Sequence, residues 1–272
     1  MSSSNLILTH WRKELKVFNK NFEILRKGSD KEAVHDLRVA IKKLRSYLKL
    51  FVFITEKKEW KYLFPETIRL FRILGKERDI ELCLELILAY KKEEARNIFR
   101  HFIKYMRRQL LYTKGWSKEA VKSYPENELT KISLIMKNDS LLVDGNQLIK
   151  KIIDVINTQL QQIKKYYKRP HKIRKLLKDV YYWIKLLPGG AISDSTIEKK
   201  LNEMLDDFGI YQDEEMLLSK TRHYRKDYIP RPITEYKAIQ LFEKKISNKK
   251  EKLLKEVLSN SRKLSKEILM SQ

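Results

Sequence analysis

The apolar residues of this chain recur every three or four positions through most of its length. That spacing is typical of α-helices that bury one face, because a helix completes a turn in about 3.6 residues. One such face carries Leu37, Ile41, Leu44, Leu48 and Phe51. Alternation of apolar and polar residues over the length of a strand is hard to find. The pattern therefore predicts an all-α protein with no β-sheet.

Turn-forming residues divide the chain into nine predicted helices. The stretch 28–30 (Gly-Ser-Asp) separates the first two helices, while Pro65 and Pro170 suit the first turn of later ones. Residues 116–144 combine turn formers with short apolar pieces and are interpreted as a connector. The predicted helices span residues 4–27, 30–54, 65–91, 93–113, 146–168, 170–187, 195–208, 211–227 and 233–269.

The chain also contains an internal repeat. His35 and His171 lie 136 residues apart, and Asp79 and Asp213 lie 134 apart, each pair in a similar local sequence. Two landmarks with nearly equal spacing indicate a duplication. We therefore predict one domain over residues 1–272, built from two similar helical halves and a connector: 1–115, 116–144 and 145–272.

Basic residues form a stripe on one helix face in each copy of the repeat, away from the apolar face. The stripe residues are His35, Arg38, Lys42, Arg45 and Lys49 in the first copy, and His171, Arg174, Lys178 and Lys185 in the second. Tyr181 takes the position in the second stripe that Arg45 holds in the first. A stripe of this kind extends roughly 21 Å at ~1.5 Å per residue. That length suits a long polyanion better than a small ligand.

The overall charge supports an anionic partner. The chain has 59 Lys and Arg against 35 Asp and Glu, a formal net charge of +24. Such an excess destabilises a compact state by self-repulsion, so a counter-anion is expected. The 42% hydrophobic content indicates a true core rather than a disordered basic tail. With Cys83 as the single cysteine, neither an intramolecular disulfide nor a cysteine-based metal site is expected.

Four sequence segments resemble the motifs of the conserved histidine α-helical domain family, known as CHAD. They are VHDLRVAIKKLR at 34–45, LGKERD at 74–79, and the weaker HKIRKLLKDVYY at 171–182 and FGIYQD at 208–213. The resemblance implies two similar helical bundles related by a pseudo-two-fold axis. It also implies a basic central cleft or pore that binds inorganic polyphosphate.

The family's motif residues carry over to His35, Arg38, Lys42, Lys43, Arg45, Arg78, His171, Arg174 and Lys178. The chain departs from the family pattern at Asp179 and Tyr181, where further basic residues are usual. We therefore expect the second stripe to contribute less to binding than the first. Asp79 and Asp213 are expected to orient neighbouring basic side chains, since a polyanion would repel them.

Two further basic groups are candidates for binding or for ordinary solvated surface. One is a row on a single helix face that includes Arg96, and the other precedes a proline-rich loop. Their candidate binding residues are Arg100, Lys104, Arg107, Arg108, Arg222 and Arg225.

The leading hypothesis is non-catalytic binding of inorganic polyphosphate, or a similar polyanion, through basic helix faces that line a cleft. The alternative is a single-stranded nucleic-acid-binding protein, because Tyr47, Tyr181 and Tyr182 could stack on bases. We expect no enzymatic activity, cofactor or metal, since no paired carboxylates or glycine-rich phosphate loop accompany the histidines. With no apolar stretch of membrane length, the expected location is cytoplasmic. The polyphosphate binding that the resemblance implies adds an expected association with polyphosphate granules.

Overall fold

The computed structural model describes residues 6–94, 99–125, 127–139, 145–166, 168–188, 195–229 and 234–270. Within these ranges the regular secondary structure is entirely helical, which confirms the all-α prediction. Short 3-10 turns occur at Lys58–Tyr62 and Gln162–Tyr166. The α-helices are α1 (Leu6–Lys27), α2 (Lys31–Thr55), α3 (Pro65–Glu94), α4 (Arg100–Lys122), α5 (Glu128–Asp139), α6 (Gly145–Gln161), α7 (Pro170–Ile184), α8 (Ser195–Asp227) and α9 (Thr234–Met270).

The helices that carry the two stripes begin close to where the sequence predicts. The Asp30 side chain caps α2 by accepting a hydrogen bond of 2.7 Å from the backbone N–H of Ala33. Glu56 ends α2 in the left-handed backbone conformation, with φ of 60°. Pro170 occupies the first turn of α7, where its missing N–H costs no helical hydrogen bond. The first stripe therefore lies wholly on α2, and the second lies on α7 except for Lys185, which follows the last residue of that helix.

The structure corrects three predicted boundaries. The helix predicted to end before Gly115 continues through it to Lys122, because Ala120 and Val121 bury their side chains in its last turns. The predicted connector also contains α5. The two helices predicted on either side of Gly209 form the single helix α8. A glycine in a helix costs only about 1 kcal/mol relative to alanine, and packing outweighs that cost.

Two hydrophobic cores hold the described helices together, and they do not coincide with the two predicted halves of the chain. The larger core includes Leu44 of α2, together with Leu177 of α7 and Phe208 of α8. The smaller core includes the buried thiol Cys83 of α3 and Phe242 of α9. Each core contains residues from both halves of the sequence, so the halves do not fold around separate cores.

Helices α3 and α8 each extend from the larger core to the smaller one. The LGKERD motif of α3 and the FGIYQD motif of α8 lie between the two cores. On α3 the larger core ends with Leu74, and the smaller core begins with Ile80. On α8 the corresponding limits are Phe208 and Leu217. The polar stretches between these residues contain the LGKERD and FGIYQD motifs. Because α2 packs on α3 and α7, and α7 packs on α8, the basic stripes lie beside these polar stretches.

Candidate functional site

Arg38 of α2 is held across α3 at Gly75. Its Nη1 donates a hydrogen bond of 2.7 Å to the carbonyl oxygen of Phe71, and its guanidinium lies 4.4 Å from the centre of the Phe71 ring. A Cβ atom at Gly75 would overlap Nη1 and lie 3.3 Å from Cζ. Gly75 therefore provides the space in which the guanidinium rests. Burial lowers the pKa of Arg38, and the nearby Asp79 opposes that effect.

The second copy of the motif contains a looser version of this arrangement. Nη2 of Arg174, on α7, lies 4.0 Å from the position that a Cβ would take at Gly209. Burial lowers the pKa of Arg174, and Asp213 opposes that effect as Asp79 does for Arg38. The Nε of Arg174 is buried and has no hydrogen-bond partner among the described residues. An unpaired buried donor is costly, so this guanidinium is poised to bind an acceptor.

Lysines from α2 and α7 converge beside these arginines. Burial, and then the positive charges of Lys178, Arg38 and Arg174, together lower the pKa of Lys42 to about 7. Burial likewise lowers the pKa of Lys178 to about 8, with Arg174 as the next cause. Within the described ranges, neither ammonium forms an ion pair with a carboxylate. We call Arg38, Lys42, Arg78, Arg174 and Lys178 the cationic cluster.

His35 and the two motif aspartates border this cluster. His35 is exposed, and its pKa is lowered by partial burial and then by Arg78 and Lys42. Desolvation raises the pKa of both Asp79 and Asp213, against the attraction of Arg38 and Arg174 respectively. Asp79 is nevertheless accessible to solvent, so it lies in a concavity rather than in the core.

Comparison with known proteins gives the family. A family model described as the CHAD domain matches residues 9–222. This chain belongs to the CHAD domain family. The crystal structure of the CHAD domain from the plant Ricinus communis is similar, with a TM-score of 0.73 and 16% identity over 96% of this chain and 92% of that one. PptA from Streptomyces chartreusis has a TM-score of 0.69 and 11% identity, over 94% of this chain and 99% of that one.

No curated protein sequence matches this CHAD chain. In the part of the chain that the structure describes, no helix has the length and apolar character needed to cross a bilayer. The same ranges contain no group of three or more histidine, cysteine or acidic side chains placed to hold a metal ion.

Ion pairs within the protein neutralise several of the predicted binding residues of this CHAD domain. The close pairs are Lys43 with Glu14 at 2.8 Å, Lys49 with Asp179 at 2.7 Å, and Lys185 with Glu198 at 2.9 Å. Arg78 of the cationic cluster forms longer pairs, of 3.7 Å each, with Glu81 and Glu85. The Lys49 ammonium also lies 5.5 Å from the centre of the Trp183 ring. The charges of these three lysines are therefore partly neutralised by carboxylates of the protein, unlike those of Lys42 and Lys178.

The remaining predicted residues lie outside the cationic cluster. Arg225 donates two hydrogen bonds to Glu243, of 3.0 and 2.9 Å, and one of 2.8 Å to the Tyr236 hydroxyl, so it joins α8 to α9. Arg96 lies outside the described residues. The exposed residues of the two further basic groups are Arg100, Lys104, Arg107, Arg108 and Arg222.

Two basic residues that the motif analysis did not select lie next to the site. The pKa of Lys175 is lowered first by burial and then by the nearby positive charge of Arg45. Lys220 of α8 lies near Asp79, whose negative charge it favours. His171 is exposed, and its pKa is lowered by partial burial and then by Lys175. The helical spacing could have indicated Lys175, which lies one turn after His171.

A cavity of about 1110 Å³ opens beside the cluster, between α1, α2, α7 and α8. Arg174 and Lys178 line it together with His10 and Lys13 of α1. The sequence analysis missed this contribution of α1, because that helix carries no basic stripe of the motif type. The cavity makes the second copy of the motif accessible to a ligand of considerable size.

Proposed function

We propose that this CHAD protein binds inorganic polyphosphate without catalysing its turnover, using the basic faces of α2 and α7 as the two walls of a cleft. The observation that carries the proposal is the convergence of Lys42 and Lys178, whose mutual repulsion is part of what lowers the pKa of Lys42 to about 7. Desolvated like charges destabilise the free protein. A polyanion placed between them would relieve this repulsion.

The repeated motif supports a linear ligand. Arg38, Gly75 and Asp79 correspond to Arg174, Gly209 and Asp213, which we take as the remnant of an internal duplication with pseudo-two-fold symmetry. A phosphate chain presents the same anionic group at short, regular intervals and could contact both copies in succession. Arginine offers a planar fork for two phosphate oxygens, and lysine a mobile point charge.

Burial of two of the three candidate stacking residues favours polyphosphate over single-stranded nucleic acid, because the half-buried Tyr181 alone cannot stack successive bases. Tyr47 and Tyr182 are only 4% and 6% exposed, so their rings are not available as stacking platforms for successive bases. Asp79 and Asp213, which border the cationic cluster, interact with Arg38 and Arg174 respectively. This arrangement suits carboxylates that position arginines rather than carboxylates that take part in catalysis. Association with polyphosphate granules in the cytoplasm is the corresponding proposal for location.

A competition experiment at physiological salt tests this function. Long-chain polyphosphate should displace fluorescent polyphosphate at a lower phosphate concentration than single-stranded RNA or heparin does. The logarithm of the affinity should fall linearly with the logarithm of the salt concentration. The slope should be about −0.7 to −0.9 for each phosphate contacted, because each contact releases counterions. Equal competition by all three polymers would instead indicate a general polyanion-binding surface.

Replacement of Gly75 by alanine should weaken polyphosphate binding by about tenfold, because the new methyl group displaces the Arg38 guanidinium and one charge-assisted contact is lost. Gly209→Ala is the matched control, since Arg174 lies at an ordinary contact distance of 4.0 Å. Gly209→Ala should stabilise the protein by about 0.5–1 kcal/mol, whereas in Gly75→Ala the displacement of Arg38 from Phe71 opposes that gain. Affinity measurements and urea unfolding check both effects. Equal affinities of the two variants would show that the position of Arg38 is unimportant.

A further inference from the structure

The cavity beside the cationic cluster is lined by side chains of two chemical kinds. The cations include Lys13, Arg174 and Lys178. The apolar and aromatic side chains, which we call the apolar wall, are Tyr181, Tyr182, Ile184, Leu187, Leu205 and Ile210. Pockets that combine an apolar wall with a few polar groups are typical of sites for small organic ligands. The volume of about 1110 Å³ is ample for such a molecule.

A bare phosphate chain would leave the apolar wall unused, because such a chain has no apolar surface to bury. The wall is also specific to the second motif, since Tyr181 stands where the first stripe has Arg45. The Tyr181 ring is half-buried, and the Lys185 ammonium lies 4.5 Å from its centre. Tyr181 therefore places an aromatic ring, rather than a positive charge, at the edge of the cationic cluster.

Polar groups in the same cavity suit a ligand with both phosphates and hydroxyls. The Arg174 side chain lines the cavity, and its guanidinium can donate to a phosphate oxygen. Asp206 is exposed and also lines the cavity, so its carboxylate can accept hydrogen bonds from ligand hydroxyl groups. Asn202 lies beside it, donating a hydrogen bond of 3.3 Å to Asp206.

We propose that this cavity binds a nucleoside 5′-polyphosphate, with the phosphates on Arg174 and Lys178, the base against the wall around Tyr181, and the ribose beside Asp206. The inference rests on the proposed function in one respect, since the phosphates occupy part of the polyphosphate site. A nucleoside polyphosphate and long-chain polyphosphate therefore compete.

Calorimetric titration with ATP and with tripolyphosphate tests the inference, because tripolyphosphate supplies the phosphates without the nucleoside. ATP should bind at least about fivefold more tightly, from stacking of the base on an aromatic side chain. Asn202→Trp should remove this preference, because its bulk occupies the space beside Asp206 in which the ribose would lie. Glu203→Trp is the matched control, since Glu203 is exposed on the same helix and does not line the cavity.

Equal affinities of the wild-type protein for ATP and tripolyphosphate, or a preference that survives Asn202→Trp, would overturn the inference. Long-chain polyphosphate is titrated against the same preparations to separate the two proposals. Polyphosphate binding without an ATP preference would contradict only the nucleotide site. A preference for ATP without polyphosphate binding would support the nucleotide site and contradict the proposed function.

Discussion

Joint replacement of Lys42 and Lys178 by alanine will weaken the binding of long-chain polyphosphate by about a hundredfold. Each ammonium belongs to the cationic cluster and has no carboxylate partner among the described residues, so each is available for a charge-assisted contact with phosphate. Hydrogen bonds to charged groups contribute about 1.5–3 kcal/mol each, and 1.4 kcal/mol corresponds to a factor of ten. Titration of fluorescent polyphosphate measures the loss.

The matched control is the joint replacement of Lys104 and Arg108 by alanine. It removes the same two positive charges, but from exposed positions on α4. Its affinity for polyphosphate should stay within about threefold of the wild-type value, because contributions from distant exposed charges are largely screened by salt. Similar losses in the two double variants would mean that overall charge, and not the cleft, determines binding.

The cleft variant should also be more stable than the wild-type protein without ligand. The pKa values of Lys42 and Lys178, about 7 and about 8, lie below the usual lysine value of 10.5. The folded protein therefore holds fewer protons than the unfolded chain above about pH 7, and its stability rises with pH up to the unfolded lysine pKa. Alanine at both positions removes the cost of the buried charges, so the melting temperature at pH 7 should increase.

Polyphosphate affinity will fall as the pH rises from 7 to 9, over the range in which Lys42 and Lys178 lose their protons in the free protein, at pKa values of about 7 and about 8. Bound phosphate favours the charged form of each lysine, so binding takes up protons. At pH 8 the uptake should be about one to one and a half protons per site. Calorimetry in buffers with different ionisation enthalpies measures this number.

The control for the pH effect is the joint replacement of Lys42 and Lys178 by arginine. Arginine remains charged throughout this pH range, so the variant should bind polyphosphate with little dependence on pH and little proton uptake. Proton uptake that persists in this variant would assign the titration to other groups, such as His35 and His171, whose pKa values are lowered in the free protein.

The helical periodicity of the sequence was sufficient to place Arg38 and Lys42 on one face of a helix, since side-chain direction along a regular helix follows from spacing alone. It could not identify which stripe lysines are neutralised by the protein. The partners of Lys43 and Lys49 are Glu14, on α1, and Asp179, which is 130 residues away from Lys49. Such pairs depend on how the helices pack, which no local pattern contains.

The boundaries at Gly115 and Gly209 were wrong for a related reason. Glycine disfavours a helix by only about 1 kcal/mol, and buried neighbours such as Val121 and Phe208 outweigh that preference. The role of Gly75 was equally hidden, because the space it leaves for Arg38 is visible only once α2 lies against α3. The family motifs directed attention to the segments that carry the cationic cluster, while tertiary packing decided which of their residues form ion pairs within the protein.

Chemical footprinting of lysines is the measurement that tests binding in this cleft most directly. The low pKa values of Lys42 and Lys178, about 7 and about 8, make their neutral amines reactive towards an acylating reagent at pH 8. Mass spectrometry with and without long-chain polyphosphate should show strong protection of these two lysines and little change at Lys104. Protection of Lys104 and the rest of the exposed α4 row, with Lys42 and Lys178 modified equally in both samples, would contradict the account.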